Sequence, residues 1–233
     1  MPTFRGSKRE QAYVRKAKRN RRLAGKIRRK ISTRLPRQLI PATQMIKLKY
    51  AEQISLNPGI GSIAAYTFSA NGCYDPNVTS TGHQPMGFDQ YVGVLYDHYC
   101  VVKSKISCAV NTTGGTSATG NMLFGILLRD TTSSTPSIPD TLIEQGRCRY
   151  TNIAATGQNA KKLSYQHAPL RFLNHKKTDA EVRGDATANP LEQSYYILWA
   201  SSTNGSDDAS PLDVNVVIEY WVELSEPRTL GAS

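Results

Sequence analysis

Fifteen lysines and arginines stand within the first 37 residues, against a single acid, Glu10. They are Arg5, Lys8, Arg9, Arg15, Lys16, Lys18, Arg19, Arg21, Arg22, Lys26, Arg28, Arg29, Lys30, Arg34 and Arg37. The chemistry open to such a set is phosphate neutralisation. Each cation that meets a phosphate releases condensed counterions, and no base-specific contact is needed. The segment carries +14, whereas residues 38–233 hold fourteen basic and seventeen acidic residues and carry −3. This asymmetry points to a polyanion bound through a basic arm, with nucleic acid the leading class. The plainer alternative is a solvated charge run that serves solubility. Phe4 and Tyr13 are the only aromatic residues of the arm, so its binding should be electrostatic and nearly blind to sequence.

Other chemistry lacks its residues. His83, His98, His167 and His175 lie in unrelated contexts and are expected to be packed or surface histidines. His98 and Cys100 match no common metal-site spacing. Asp89 and Asp97 are eight residues apart on a predicted helix and should be solvated. There is no G-x-S-x-G, H-E-x-x-H or Walker loop, and "PGIGS" and "NTTGGTSATGN" lack the context of a phosphate cradle. Neither an enzyme nor a cofactor or metal is expected. Cys73, Cys100, Cys108 and Cys148 form no C-x-x-C pair. With no apolar leader and no long apolar run, they are expected to be reduced and buried, and the sequons at Asn77, Asn111 and Asn204 to be chance.

The arm needs something to carry it. Leu23, Ile27, Ile31 and Leu35 recur every four residues, which predicts a helix within residues 7–35 once an anion or partner offsets its like charges. Pro36 and Pro41 end it, giving an arm and linker over residues 1–41 and a body over residues 42–233. From there the period is two. "MIKLKYAEQISL" aligns Ile46, Leu48, Tyr50, Ile54 and Leu56, and "SIAAYTFSA" follows as a second strand. Phe88, Tyr91, Val92, Leu95, Tyr96 and Tyr99 form one stripe, predicting a helix over residues 88–99. Next comes a strand with Cys100, Val102, Ile106, Cys108 and Val110 on one face and Lys103 and Lys105 on the other.

"NMLFGILLRD" reads as a strand buried on both faces, and "SIPDTLIEQG" as a short helix capped by Ser137. Weaker strands are expected at "CRYTNI" and "KKLSYQH", then a long polar loop over residues 168–193. "SYYILWAS" and "DVNVVIEYWVEL" close the chain, the latter with Val214, Val216, Ile218, Tyr220, Val222 and Leu224 alternating against Asp213, Asn215, Glu219 and Glu223. About eight strands and two short helices predict an all-β sandwich or double-sheet jelly roll. Lys47, Lys49, Lys103 and Lys105 could make a basic sheet face for nucleic acid. Pairing with Glu219 and Glu223 is the favoured alternative, if the last strand lies between theirs.

A basic arm, a proline-containing linker and an eight-strand body resemble the single jelly-roll capsid proteins of circular single-stranded DNA viruses, the circovirus-like group. The most specific stretch is "QPMGFDQYVGVLYDHYCVVKSKI", which is similar to the helix between the third and fourth strands and the start of the fourth; "NPLEQSYYILWAS" and "PLDVNVVIEYWVELSEP" are similar to the last two strands. The resemblance implies an eight-stranded jelly roll of two four-stranded antiparallel sheets, with the first, last, fourth and seventh strands in one. It implies about sixty copies in a closed T=1 icosahedral shell, arms turned inward onto a single-stranded DNA genome. Sixty arms of +14 would neutralise about 840 phosphates. The arm would double as a nuclear import signal through Lys18, Arg19, Arg21, Arg22, Lys26, Arg28, Arg29 and Lys30, with import receptors as partners. The protein would then occupy the virion and, during assembly, the host nucleus. A basic amphipathic helix can also lie on an anionic membrane. The rivals are a coat protein of a small RNA or satellite virus, a cellular nucleic-acid-binding protein that never assembles, and a jelly-roll enzyme such as a cupin, against which the scattered histidines argue.

Overall fold

Alternation of apolar and polar side chains over fourteen residues makes β1 (Thr43–Leu56), with Leu48, Tyr50, Ile54 and Leu56 buried and their neighbours turned outward. The same rule operates in β8 (Leu212–Pro227), whose residues Val214 to Leu224 are buried at every second position. This computed structural model describes residues 39–112, 120–132, 138–154, 160–204, 208 and 210–229. The remaining strands are β2 (Ile63–Ser69), β3 (Tyr96–Thr112), β4 (Met122–Arg129), β5 (Cys148–Ile153), β6 (Lys161–His167) and β7 (Tyr195–Ser202).

Two four-stranded sheets result, ordered β1-β8-β3-β6 and β2-β7-β4-β5, with every pairing antiparallel. The chain alternates between the sheets except from β4 to β5, which are neighbours; this is the eight-stranded jelly roll. Tyr50, Ile106, Val216 and Tyr220 from one sheet meet Phe68, Phe124, Ile126 and Leu198 from the other in a single core. Hydrogen bonds cross it as well. Tyr220 donates from its hydroxyl to the Ser69 carbonyl at 2.7 Å, and the Ser104 and Tyr196 hydroxyls meet at 2.8 Å. β4 and β7 are also buried on their outer side, where Leu127, Ile197 and Trp199 pack against Leu142 of the helix α2 (Pro139–Glu144). Gly125 makes room there, since a Cβ at that position would lie 2.4 Å from the Trp199 indole.

Several expectations need correction. The helix predicted over residues 88–99 is one turn, α1 (Phe88–Tyr91). Gly93 at φ 88° turns the chain, and Tyr96 and Tyr99 already pair with Pro227 and Leu224 of β8. The aromatic stripe exists because both segments face the same core, not because they share a helix. Within β3 the inward phase changes at a bulge between Val101 and Lys103. Val102 is the extra residue, so Tyr99 and Val101 point inward and Cys100 lies opposite Glu223 on the outer face. The sheet shared by first and last strands contains the third and sixth, not the fourth and seventh. Residues 71–87, the expected loop, hold a single bridge, Phe68 to Asn77, so α1 lies between the second and third strands and not between the third and fourth.

Helix α2 has Ile138 as its N-cap with Pro139 opening the first turn; Ser137 lies outside the described residues. The loop after β6 holds α3 (Pro169–Leu173) and a 3₁₀ turn (Ala180–Val182). It then docks on the start of β3 through paired bonds between Tyr99 and Gly184, both 2.9 Å. Cys73, Cys100 and Cys108 are buried thiols, but Cys148 is half-buried. No helix among the described residues is long and apolar enough to cross a membrane.

Candidate nucleic-acid interface

All fifteen basic residues of the arm, from Arg5 to Arg37, lie outside the described residues, as do the predicted helix and the two import clusters. What the structure does describe is where the arm's continuation joins the body. Ile40 packs against the core, the Pro41 carbonyl accepts a 3.0 Å hydrogen bond from the Tyr96 hydroxyl, and β1 begins two residues later at Thr43. β1 is an edge strand of the β1-β8-β3-β6 sheet, so the arm is covalently continuous with that sheet.

The outer face of this sheet gathers the four lysines. β8 lies between β1 and β3, as the pairing argument required. In register, Lys49 and Lys105 flank Glu219, and in the next outward row Lys47 and Lys103 flank Trp221. Lys47 reaches along the strand to Glu219, Nζ to Oε1 2.5 Å, and this contact holds the Glu219 carboxyl below its ordinary range. An exposed pair of this kind is worth only about 0.2–1 kcal/mol. Glu223 does not serve these lysines. It pairs at 2.8 Å with Lys177, on the loop after β6. Cross-strand pairing therefore accounts for Glu219 alone, and four lysines share one carboxylate.

Trp221, which no motif or spacing in the sequence singles out, stands between Glu219 and Glu223 at an outward position of β8. The Lys47 ammonium is 4.8 Å from its ring centroid and the Lys103 ammonium 4.6 Å. The alternation along β8 already assigned the outward phase. The lysine neighbours, Lys47 of β1 and Lys103 of β3, are 56 positions apart in the chain, and only strand pairing brings them together. Beyond Glu219 the face continues into a shallow groove of about 430 Å³ lined by Lys105, Ser107, Ala109, Lys162, Ser164 and Asn215.

The histidines are placed apart. His98 Nδ1 lies 2.9 Å from Glu226, which also accepts from Arg183 at 2.6 Å and sits at φ 61°. His175 meets Asp179 at 3.1 Å. His167 is buried, with Nε2 2.9 Å from the Ser194 hydroxyl, and desolvation, then the nearby Arg147, pushes it down to about 4. His83 rests on the Tyr50 ring, and its two nitrogens face the Gln84 and Ala51 carbonyls at 2.8 and 3.0 Å. An imidazole between two acceptors favours the doubly protonated ring, so the Gln84 and Ala51 carbonyls raise its pKa against a smaller opposing effect of burial. Burial pushes the thiols up, Cys100 to about 11 and Cys108 to about 12. Among the described residues, no group of three or more His, Cys, Asp or Glu side chains could hold a metal. The Asn77 side chain is buried and donates to Glu52 and the Tyr66 hydroxyl, so this sequon presents no free amide.

No protein-family profile matches the sequence, and no curated protein sequence matches it. Among solved structures, the chain is similar to a Desmodium yellow mottle tymovirus chain at 16% identity, covering 88% of this chain and 99% of that one, with a TM-score of 0.41. It is similar to the 60-mer BFDV capsid protein at 9% identity, over 82% and 97% of the two chains, with a TM-score of 0.47. Mud crab tombus-like virus gives 10% identity, 85% and 96% coverage and a TM-score of 0.46. Likeness at this level assigns no role to any residue of this chain.

Proposed function

We propose that this chain is the shell protein of a small virus, assembling through its jelly-roll body (residues 42–233) and packaging single-stranded nucleic acid through its basic arm (residues 1–41). The observation that carries the reading is the division of charge over the architecture: +14 on one terminal segment and −3 on the body that folds as the jelly roll. A body without excess positive charge can close against copies of itself, while the arm supplies counterions to a polyanion enclosed by the wall. The cargo is single-stranded DNA, the shell a T=1 particle of about sixty copies, and the clusters Lys18–Arg22 and Lys26–Lys30 direct nuclear import; what supports these finer statements is the resemblance of residues 84–106 and of the two last strands to circovirus-like capsid proteins. The role is structural, not catalytic.

The test is to express the full-length chain, treat it with nuclease and examine the purified material by electron microscopy together with its absorbance ratio. Uniform closed shells with protected nucleic acid are expected, and the cargo should be destroyed by DNase and not by RNase after the shells are opened. A small oligomer free of nucleic acid would sink the reading.

A further inference from the structure

We propose that the outer face of the β1-β8-β3-β6 sheet is a second site for single-stranded nucleic acid, separate from the arm, in which Trp221 stacks a base while Lys47, Lys49, Lys103 and Lys105 hold the phosphates on either side. The proposal rests on the packaging reading only for its choice of polyanion. Its own support is the local arrangement of charge and aromatic surface.

The body carries −3 overall, yet four lysines of this face share one carboxylate, Glu219, and Lys162 adds a fifth cation at the rim of the adjoining groove. The second carboxylate near them, Glu223, is held by Lys177. The excess is therefore not a by-product of a generally basic protein; it is concentrated on one face of a body that is otherwise acidic on balance. A polyanion is the complement of such a surface.

The geometry is that of two rails and a platform. Lys47 and Lys49 project from β1, and Lys103 and Lys105 from β3, each pair two residues apart, about 6.8 Å along its strand. The rails are separated by β8, so their backbones lie about 10 Å apart. Between them stands Trp221, partly exposed, with an ammonium from each rail within 5 Å of its centroid: 4.8 Å for Lys47 and 4.6 Å for Lys103. Those two cations screen an indole that would otherwise lie open to water. A nucleotide can replace them on both counts, its base covering the ring and its phosphates taking the ammonium groups. Past Glu219 the face opens into the groove, where Ser107, Ala109 and Ser164 stand beside Leu163 and Val217, which leaves room for the strand to continue along the sheet.

The face belongs to the sheet whose edge strand, β1, follows the arm in the chain, with Lys47 four residues after the start of that strand at Thr43.

The molecule contains two tryptophans, and they report separately. Trp199 is fully buried beneath α2, whereas Trp221 is on the surface. The experiment titrates the full-length chain with an oligothymidylate, following tryptophan emission and the dependence of the binding constant on salt. Emission is expected to be quenched on binding, and Trp221→Phe to abolish the quench while binding persists through the arm. The double variant Lys103→Ala/Lys105→Ala should lower the salt slope by about 1.4, on the basis of about 0.7 for each phosphate contact on a single strand. Both variants change outward side chains, and each is checked for native circular dichroism before titration.

Binding that leaves tryptophan emission unchanged, with the same salt slope in wild type and double variant, would overturn the second site and leave the arm's role intact. A quench that survives in Trp221→Phe would overturn the stacking assignment. Failure of the wild-type chain to bind at any salt would instead remove the packaging reading, and the second site with it.

Discussion

Acidifying the protein from pH 7 to pH 4 should charge His167 inside the fold, and the cost can be worked from its surroundings. The ring lies between the edges of Phe172 and Tyr196, centroids 5.1 and 6.1 Å away, with Nε2 on the Ser194 hydroxyl and Arg147 close by. Burial and the Arg147 charge bring its pKa from 6.5 to about 4. Between those values the unfolded chain binds a proton that the folded chain refuses, so stability is complete above pH 6.5 and is lost as pH falls toward 4. The window of about 2.5 pH units corresponds to about 3 kcal/mol, at about 1.4 kcal/mol per unit. The assay is urea unfolding of wild type and His167→Gln at several pH values between 7.5 and 4. Carboxylates held low by partners, such as Asp179, Asp185 and Glu226, titrate in both proteins and cancel in the difference. Wild type should be the more stable at pH 7, and the gap should shrink by about 3 kcal/mol on approach to pH 4. A gap independent of pH would refute the reasoning, because it would mean that His167 is not held neutral by its site.

Tyr99→Phe removes the hydroxyl that accepts from the Cys73 and Tyr74 amides at 3.0 and 3.3 Å and donates to Asn189, so urea unfolding should show a loss of about 1–3 kcal/mol; a neutral effect would mean that water reaches those amides. Gly125→Ala places a methyl 2.4 Å from the Trp199 indole and should cost about 1–3 kcal/mol by overpacking, accompanied by a shift in Trp199 emission. His83 works in the opposite sense to His167. Its raised pKa means that the clamp on the Ala51 and Gln84 carbonyls is complete below pH 6.5 and is released as pH rises through the folded value. Hydrogen exchange of residues 80–85, corrected for intrinsic rates, should accelerate from pH 6 to pH 8 in wild type, with that dependence absent in His83→Ala. In native alkylation at pH 8 followed by mass spectrometry, half-buried Cys148 should react before Cys73, Cys100 and Cys108, whose burial keeps them protonated.

Long strands with a strict period of two were legible because alternation is a local property. β1 and β8 carry their buried residues at the expected phase from end to end. β3 was legible only below its bulge. Nothing local distinguishes Val102 as the extra residue; its status follows from the pairing of Val101 with Val222 and Lys103 with Trp221. The aromatic stripe from Phe88 to Tyr99 misled for a related reason. Periodicity reports which residues face the core, and a one-turn helix followed by a strand satisfied the same spacing as a continuous helix.

The candidate sheet site divides along the same line. The four lysines and Glu219 were visible in the sequence as outward positions of three strands, and the pairing hypothesis named the right partner for one carboxylate. Glu223 went to Lys177, whose loop docks by way of Gly184 on Tyr99, a contact that no strand pattern encodes. Trp221 acquired its meaning only when β8 took its place between β1 and β3.

By itself, the sequence determined the division of charge between arm and body, the all-β class and the inward phase of β1 and β8, because these depend on composition and on neighbours a few residues apart. The strand order, the bulge, the brevity of α1 and the union of Lys47, Trp221 and Lys103 were decided by the tertiary structure. Each depends on which distant strands share hydrogen bonds, and that choice is made by the packing of the whole sandwich.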